Sequence, residues 1–250
     1  MKYFILFLYL FATPLTFAQN NSLDEAIKKE INYKWEDYHD FVLKVLPNNP
    51  SLAVASGTKF NEKEDDFFSC DLLLLLIDTK TQKIIDRYTE KDAYQSDAYY
   101  LSGIDLDMAN YKVSDEYRAF GVRDSYSASS RPNPSGSVNI SLYIIRNNKI
   151  EKVLDSFETY TFQGETDMNC NFHGEESTSV LIMDKTKING FFDIQVRNTK
   201  TIKKTIEPKT KEGDCINKDK KLKPTSQTLQ YVNGAYQLKK EGMTRKTSPK

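Results

Sequence analysis

Hydrophobic positions along the chain change their spacing near residue 50. Before that point, Leu23, Ile27, Ile31, Trp35, Tyr38 and Val42 recur every three or four residues, which makes one apolar helical face. Ser22-Leu23-Asp24-Glu25 has the form of a capping box, and Pro47 and Pro50 stop the pattern. The spacing therefore predicts a single helix within residues 19–50, with Trp35 as the anchor that packs it onto the rest of the protein. From Ser51 onward the pattern changes to short apolar runs divided by polar turns, the signature of strands. Such runs occupy Leu52 to Ala55, Cys70 to Ile77, Lys83 to Tyr88, Ala119 to Tyr126, Val138 to Ile145, Ile150 to Phe162, Val180 to Met183, Phe191 to Val196 and Thr228 to Leu238.

Three hairpins stand out, with turns at Asp78 to Gln82, Arg146 to Lys149 and Asn233-Gly234. The last pair best tolerates positive φ in a two-residue turn. Strand, turn, strand units repeated through a chain predict a mainly β fold. The expected architecture is antiparallel hairpins forming a sandwich or a propeller-like domain over residues 51–240, preceded by one N-terminal helix. Thr89 to Ala98 and Tyr111 to Tyr117 are expected to hold short helical turns, Ser127 to Gly136 reads as a loop, and the tail 241–250 is expected to lack fixed structure.

The first 18 residues read as a secretory signal. Lys2 is the positive start, Tyr3 to Ala12 the apolar run, and Thr16-Phe17-Ala18 a cleavage site. The run is about half the roughly 20 apolar residues of a spanning helix, so no membrane span is expected after cleavage. The mature chain, from Gln19, is thus expected to be periplasmic or secreted. An oxidising compartment makes a disulfide feasible for three cysteines, with one left over. Cys170 and Cys215 lie in polar, loop-like contexts, whereas only Asp71 separates Cys70 from the apolar run Leu72 to Ile77. A Cys170 to Cys215 bridge is expected, worth ~4 kcal/mol in the loop-entropy account, with Cys70 a small buried hydrophobe.

Across the 250 residues, 35 Lys and Arg balance 35 Asp and Glu, and 39% are hydrophobic, which excludes a disordered or multispan membrane protein. Along the chain the charge is uneven: Thr58 to Glu116 holds 14 acidic and 7 basic residues, and Lys185 to Lys250 holds 17 basic and 6 acidic. The nine lysines of Thr199 to Pro224 suit an anionic envelope component or an acidic envelope protein, or simply a solvated loop that protects a strand edge. Nucleic acid is a poor partner, because that segment has no aromatic residue on which bases would stack.

Signals for catalysis are sparse. The two histidines, His39 and His173, have no zinc-ligand spacing, so neither metal nor cofactor is expected. His173 with Ser177 lacks the Gly-x-Ser-x-Gly elbow of a hydrolase. Asp105-Leu106-Asp107 places two carboxylates on one face of a strand, about 6 to 7 Å apart, a spacing that suits acid and base roles. Glu62, Glu64, Asp65 and Asp66 form an acidic loop. Before Gly190, the positions at which a D-x-D-x-D-G calcium loop needs oxygen ligands hold Lys185, Lys187 and Asn189, and two ammonium groups disfavour a cation there.

Asn189-Gly190-Phe191-Phe192-Asp193-Ile194 resembles the N-G-[FY]-x-D-[IL] turn of an uncharacterised group of secreted or periplasmic bacterial β-rich proteins. That group is distantly similar to periplasmic lysozyme-inhibitor-like and interrupted β-propeller proteins. The resemblance extends to Arg118 to Arg123, Ser129 to Pro134, Ser141 to Tyr143, the cysteines at 170 and 215 and the terminal hairpin around Asn233-Gly234, and covers most of Leu72 to Leu238. It implies a β scaffold with a binding or inhibitory role. The inhibitors' Ser-Gly-x-x-Tyr loop has no counterpart, because Leu106 and Asn139 stand at the Tyr position after Ser102-Gly103 and Ser135-Gly136.

Two classes of function follow. One is a non-catalytic binding or inhibitor module of the bacterial envelope that uses the Ser127 to Gly136 loop, with Arg123, Arg131 and Asn133 as contacts. The other is an envelope hydrolase using Asp105 and Asp107. A carboxylate held protonated in a cleft would favour the enzyme, and a face with exposed aromatic rings would favour binding. Partner and oligomeric state are left open by the sequence.

Overall fold

The computed structural model of the chain describes residues 13–208 and 213–239. The apolar run of the expected signal and the tail 241–250 lie outside the described residues. The chain is mainly β, built of antiparallel hairpins in two sheets after one helix near the N-terminus, as the hydrophobic pattern predicts. The described residues divide into two compact units: those up to Gln95 together with Asn147–Ile150, and Ser96–Arg146 together with those from Glu151 on. The β-rich stretch 51–240 is thus shared between them.

The first unit holds helix α1 (Thr13–Glu30) and a four-stranded meander of β1 (Tyr38–Val45), β2 (Leu52–Lys63), β3 (Phe68–Asp78) and β4 (Lys83–Ser96). Leu23 and Ile27 of α1 are buried with Ala53, Ala55, Leu75 and Ile77. The expected helix across residues 19–50 is corrected at both ends. It begins before Ser22, so no capping box starts it, and it stops at Glu30. Asn32, with φ of 53°, closes it: the Tyr33 N–H bonds Lys28 O at 2.8 Å and the Asn32 N–H bonds Lys29 O at 3.2 Å, the Schellman pattern with Asn at its left-handed position. Trp35 falls in a short 3-10 turn and is 78% exposed, so it anchors nothing. Tyr38–Val45 is a strand because Phe41, Leu43 and Val45 alternate onto the core, a period of two that the four-residue step from Tyr38 to Val42 obscures.

In β3, Cys70 and the run from Leu72 to Ile77 are buried almost throughout. Cys70 is a free, buried cysteine, and burial pushes its thiol up to about 12, which keeps it protonated and unreactive. Beside it, the buried Asp71 takes Lys91 Nζ at 2.5 Å, the Asp92 N–H at 3.0 Å and the Asn61 amide. Asp86 of β4 takes Lys149 Nζ at 2.7 Å and the Ile150 N–H at 2.9 Å. Burial raises both carboxyls, and these donors together outweigh it and hold each below the usual carboxylate range.

The second unit is a ten-stranded sheet. Its strands are β5 (Tyr99–Lys112), β6 (Arg118–Ala128), β7 (Ser135–Arg146), β8 (Lys149–Thr166), β9 (Phe172–Ile188), β10 (Phe191–Ile206), β11 (Ile216–Asn217), β12 (Lys220–Lys221), β13 (Thr225–Val232) and β14 (Ala235–Leu238). They run β5 to β10 in chain order and on through β13 to β14, while β11 and β12 pair with the far part of β10. The core gathers Ile140, Leu142 and Ile144 of β7 with Ile194, Val196, Leu229, Tyr231 and Tyr236. Phe191 stacks on Tyr231 with ring centroids 3.7 Å apart. The hairpin turns use left-handed backbone at Asn147-Asn148, Asn189-Gly190 and Asn233-Gly234.

Long strands replace several expected loops. Thr89 to Ala98 holds no helical turn, because β4 continues to Ser96 with polar side chains on its exposed positions, and β5 continues to Lys112 in the same way. The lysine-rich segment from Thr199 is partly strand: β10 extends to Ile206, and β11 and β12 lie along its edge. Cys170, in the turn between β8 and β9, is bonded to Cys215, just before β11, with Cα atoms 5.3 Å apart. The bridge ties that returning segment to the sheet.

Candidate functional site

Arg123 does not lie in the loop; it sits mid-strand on β6, four residues before Ser127. Asp107 and Arg123 meet diagonally across the β5–β6 pair, beside a register shift after Asp107. Arg123 Nε donates to Asp107 Oδ2 at 2.7 Å and Nη1 to Thr159 Oγ1 at 3.0 Å, while Tyr111 OH donates to the same Asp107 oxygen at 2.8 Å. The Ala109 N–H caps Oδ1 at 2.8 Å, and Thr159 Oγ1 donates onward to Val138 O at 3.0 Å. Burial raises the Asp107 carboxyl, but the Ala109 N–H, Arg123 and Tyr111 outweigh it and hold the group below the usual range. Burial pushes the Tyr111 phenol up to about 12, with Asp107 adding to the effect.

This network faces a cavity of about 400 Å³ that also meets Ser179, Leu181 and Met183. Chemically it is a locked ion pair. Asp107 is ionised at any ordinary pH and so cannot deliver a proton, and its oxygens are already committed to three hydrogen bonds, one of them the ion pair with Arg123. Asp105, two residues before it, is exposed.

Arg131 and Asn133 are both exposed, on the loop 129–134 between β6 and β7. The loop is held against β8, where the Gly164 N–H bonds Pro134 O at 3.0 Å and the Thr166 N–H bonds Pro132 O at 2.9 Å. It thereby borders two hollows. One, of about 300 Å³, is lined by Tyr126, Ser135, Ser137, Pro134, Tyr160 and Phe162, among others. The second, of about 510 Å³, is lined by Pro132, Asn133, Glu165, Phe172, His173 and Lys204, among others.

Strand register explains the rings. Residues directly opposite one another in an antiparallel pair share a face. Tyr126 therefore stands beside Ser137, and Tyr99 stacks on Tyr126 at 5.5 Å while its hydroxyl donates to Ser137 Oγ at 2.8 Å. Across β8, β9 and β10 the successive rows are Tyr160, Thr178 and Thr199; then Phe162, Glu176 and Thr201; then Gly164, Gly174 and Lys203. Phe172 stacks with Phe162 at 5.9 Å and lies over both glycines, since a Cβ on Gly164 or Gly174 would come within 2.5 or 2.6 Å of its ring. Lys203 pairs with Glu176 at 3.0 Å and Asp219 at 3.3 Å. Burial and then the neighbouring Glu176 raise the Tyr160 phenol above its ordinary value, so it stays protonated.

The rings were not picked out by the sequence reading. Their signal is the alternation of Tyr160 and Phe162 within one strand, followed at the same parity by Gly164. The remaining candidates do not assemble. His173 and Ser177 stand four residues apart along β9, about 13 Å by strand rise, and no nucleophile and base meet. His39 is in β1, bonded to Asp40 at 2.7 Å and packed on Phe68. Glu62, Glu64, Asp65 and Asp66 are exposed, and among the described residues no three His, Cys, Asp or Glu side chains come together as a metal-ligand set. Comparison with protein-family models, with curated proteins and with solved structures gives no match.

Proposed function

We propose that the chain is a non-catalytic binding or inhibitor module, exported to the periplasm or secreted, whose ligand lies in the groove beside the loop 129–134. The observation that carries this reading is the set of rings Tyr126, Tyr160, Phe162 and Phe172 bordering two hollows, with Tyr99 stacked on Tyr126 and serine hydroxyls between them. Rings fixed by strand register offer apolar area at small entropic cost, which suits binding. Asn133 lines the groove, and the exposed Arg131 sits at its border. Arg123 acts from within the sheet, holding β5, β6 and β8 together through Asp107 and Thr159.

The signal-like start and the Cys170–Cys215 bridge support an oxidising, extracytoplasmic compartment. The resemblance to secreted β-rich proteins that are distantly similar to lysozyme-inhibitor-like proteins supports a binding role. The hydrolase reading gains nothing from Asp107, whose environment lowers rather than raises its pKa.

The test is retention of envelope proteins and glycans on the immobilised mature chain, compared with the same chain carrying Tyr160→Ala and Phe162→Ala. A component held through high salt by the first and released by the second is the expected result, with thermal melting used to show that both are folded. Equal retention by both would remove the groove from the reading. Turnover of any substrate that Asp107→Asn abolishes would replace binding with catalysis.

A further inference from the structure

We propose that the groove binds a neutral saccharide chain, an inference that rests on the binding-module reading and names the class of its ligand. A sugar ring has an apolar C–H face and a rim of hydroxyls. The groove offers the matching pair: aromatic rings at Tyr126, Tyr160 and Phe162, and hydroxyls at Ser127, Ser135 and Ser137 along the same lining. The ring quadrupole attracts the slightly positive C–H groups, and each hydroxyl both donates and accepts. The two hollows, about 300 and 510 Å³, lie on either side of the stacked Phe162 and Phe172 and along one loop, which suits a ligand of several units rather than one.

Charge and backbone argue against the other occupants that stack on aromatic rings. Single-stranded nucleic acid needs a basic channel. Here Glu165, Asp167 and Glu176 meet Lys203 and Lys204, and Lys203 is already paired with Glu176 and Asp219. The same balance gives a polyanion no attraction. An extended peptide recruits unpaired backbone groups at a strand edge. Along β8 those groups are taken, because the Gly164 and Thr166 N–H groups bond the carbonyls of Pro134 and Pro132. What the groove presents is side-chain rings and hydroxyls, the surface that a neutral polyhydroxyl ligand fits.

The experiment titrates the isotope-labelled mature chain, bridge intact, with cellotetraose, maltotetraose and chitotetraose in turn, and follows backbone amide shifts by NMR with calorimetry for affinity. At least one tetrasaccharide is expected to move the amides of Tyr126, Tyr160 and Phe162. Its monosaccharide should bind about tenfold more weakly. Tyr126→Ala and Phe162→Ala should each cost about tenfold, about 1.4 kcal/mol, while Tyr160→Phe, which keeps the ring, should bind within about twofold of the parent. Amide shifts confined to residues outside the groove, or none with any of the three sugars, overturn the inference. Its failure is separable from that of the binding module. An envelope protein retained by the parent chain, lost with Tyr160→Ala and Phe162→Ala and undisplaced by the tetrasaccharides overturns the saccharide and keeps the module.

Discussion

Asp124 shows how much one side chain's surroundings decide. It is buried on β6 and accepts from the Asn139 amide at 2.7 Å. Desolvation raises its pKa, and Asp155 adds to the effect. A carboxyl raised in the folded state lowers stability as pH climbs through the ordinary carboxylate value toward the raised one. Asp124→Asn keeps an acceptor for Asn139 and removes the charge. Its melting temperature at pH 7 should exceed that of the parent chain, and the two should converge below about pH 4; calorimetry at both pH values checks this. Trp35 is the converse case. At 78% exposure, Trp35→Ala should shift stability by no more than about 0.5 kcal/mol, whereas Ile27→Ala in the core should cost about 2–5 kcal/mol by denaturant unfolding.

At the scale of elements, the hydrophobic pattern made the hairpins legible and left the ends of the elements obscure. Apolar runs such as Cys70 to Ile77 and the turn Asn233-Gly234 are local statements, and the structure follows them. The stretch Tyr38–Val45 misled because its strand spacing coincides with a helical step, and the stop at Asn32 is marked only by a residue that tolerates left-handed backbone. Polar strands such as the second half of β4 carry too few apolar residues to announce themselves, since backbone pairing rather than burial places them.

The candidate groove was half legible for the same reason. Its loop stands out by composition, whereas its rings come together only through the register of β5 to β9. Gly164 and Gly174 belong to that register. Gly174→Ala should push Phe172 from its seat and destabilise the β8–β9 pair by about 1–3 kcal/mol, read from the shift in denaturant midpoint.

For the whole molecule, acid is the informative perturbation. Asp71 and Asp86 in one unit and Asp107 in the other all have pKa values held down by their partners. Depressed carboxyls contribute stability that is complete above the unfolded value of about 3.9 and is lost as pH falls through the lower folded values. Melting temperature should therefore drop steeply below about pH 4, and Asp107→Asn should flatten that slope for the second unit. Removing the bridge by Cys170→Ser with Cys215→Ser should cost ~4 kcal/mol, seen as a lower denaturant midpoint.

The bridge has one more effect, on how the protein would survive digestion. It spans 45 residues that include all of β9 and β10. A protease that cuts anywhere between Cys170 and Cys215 produces two polypeptides but not two molecules. On a gel the nicked protein would run as one band until a reductant is added, and then as two.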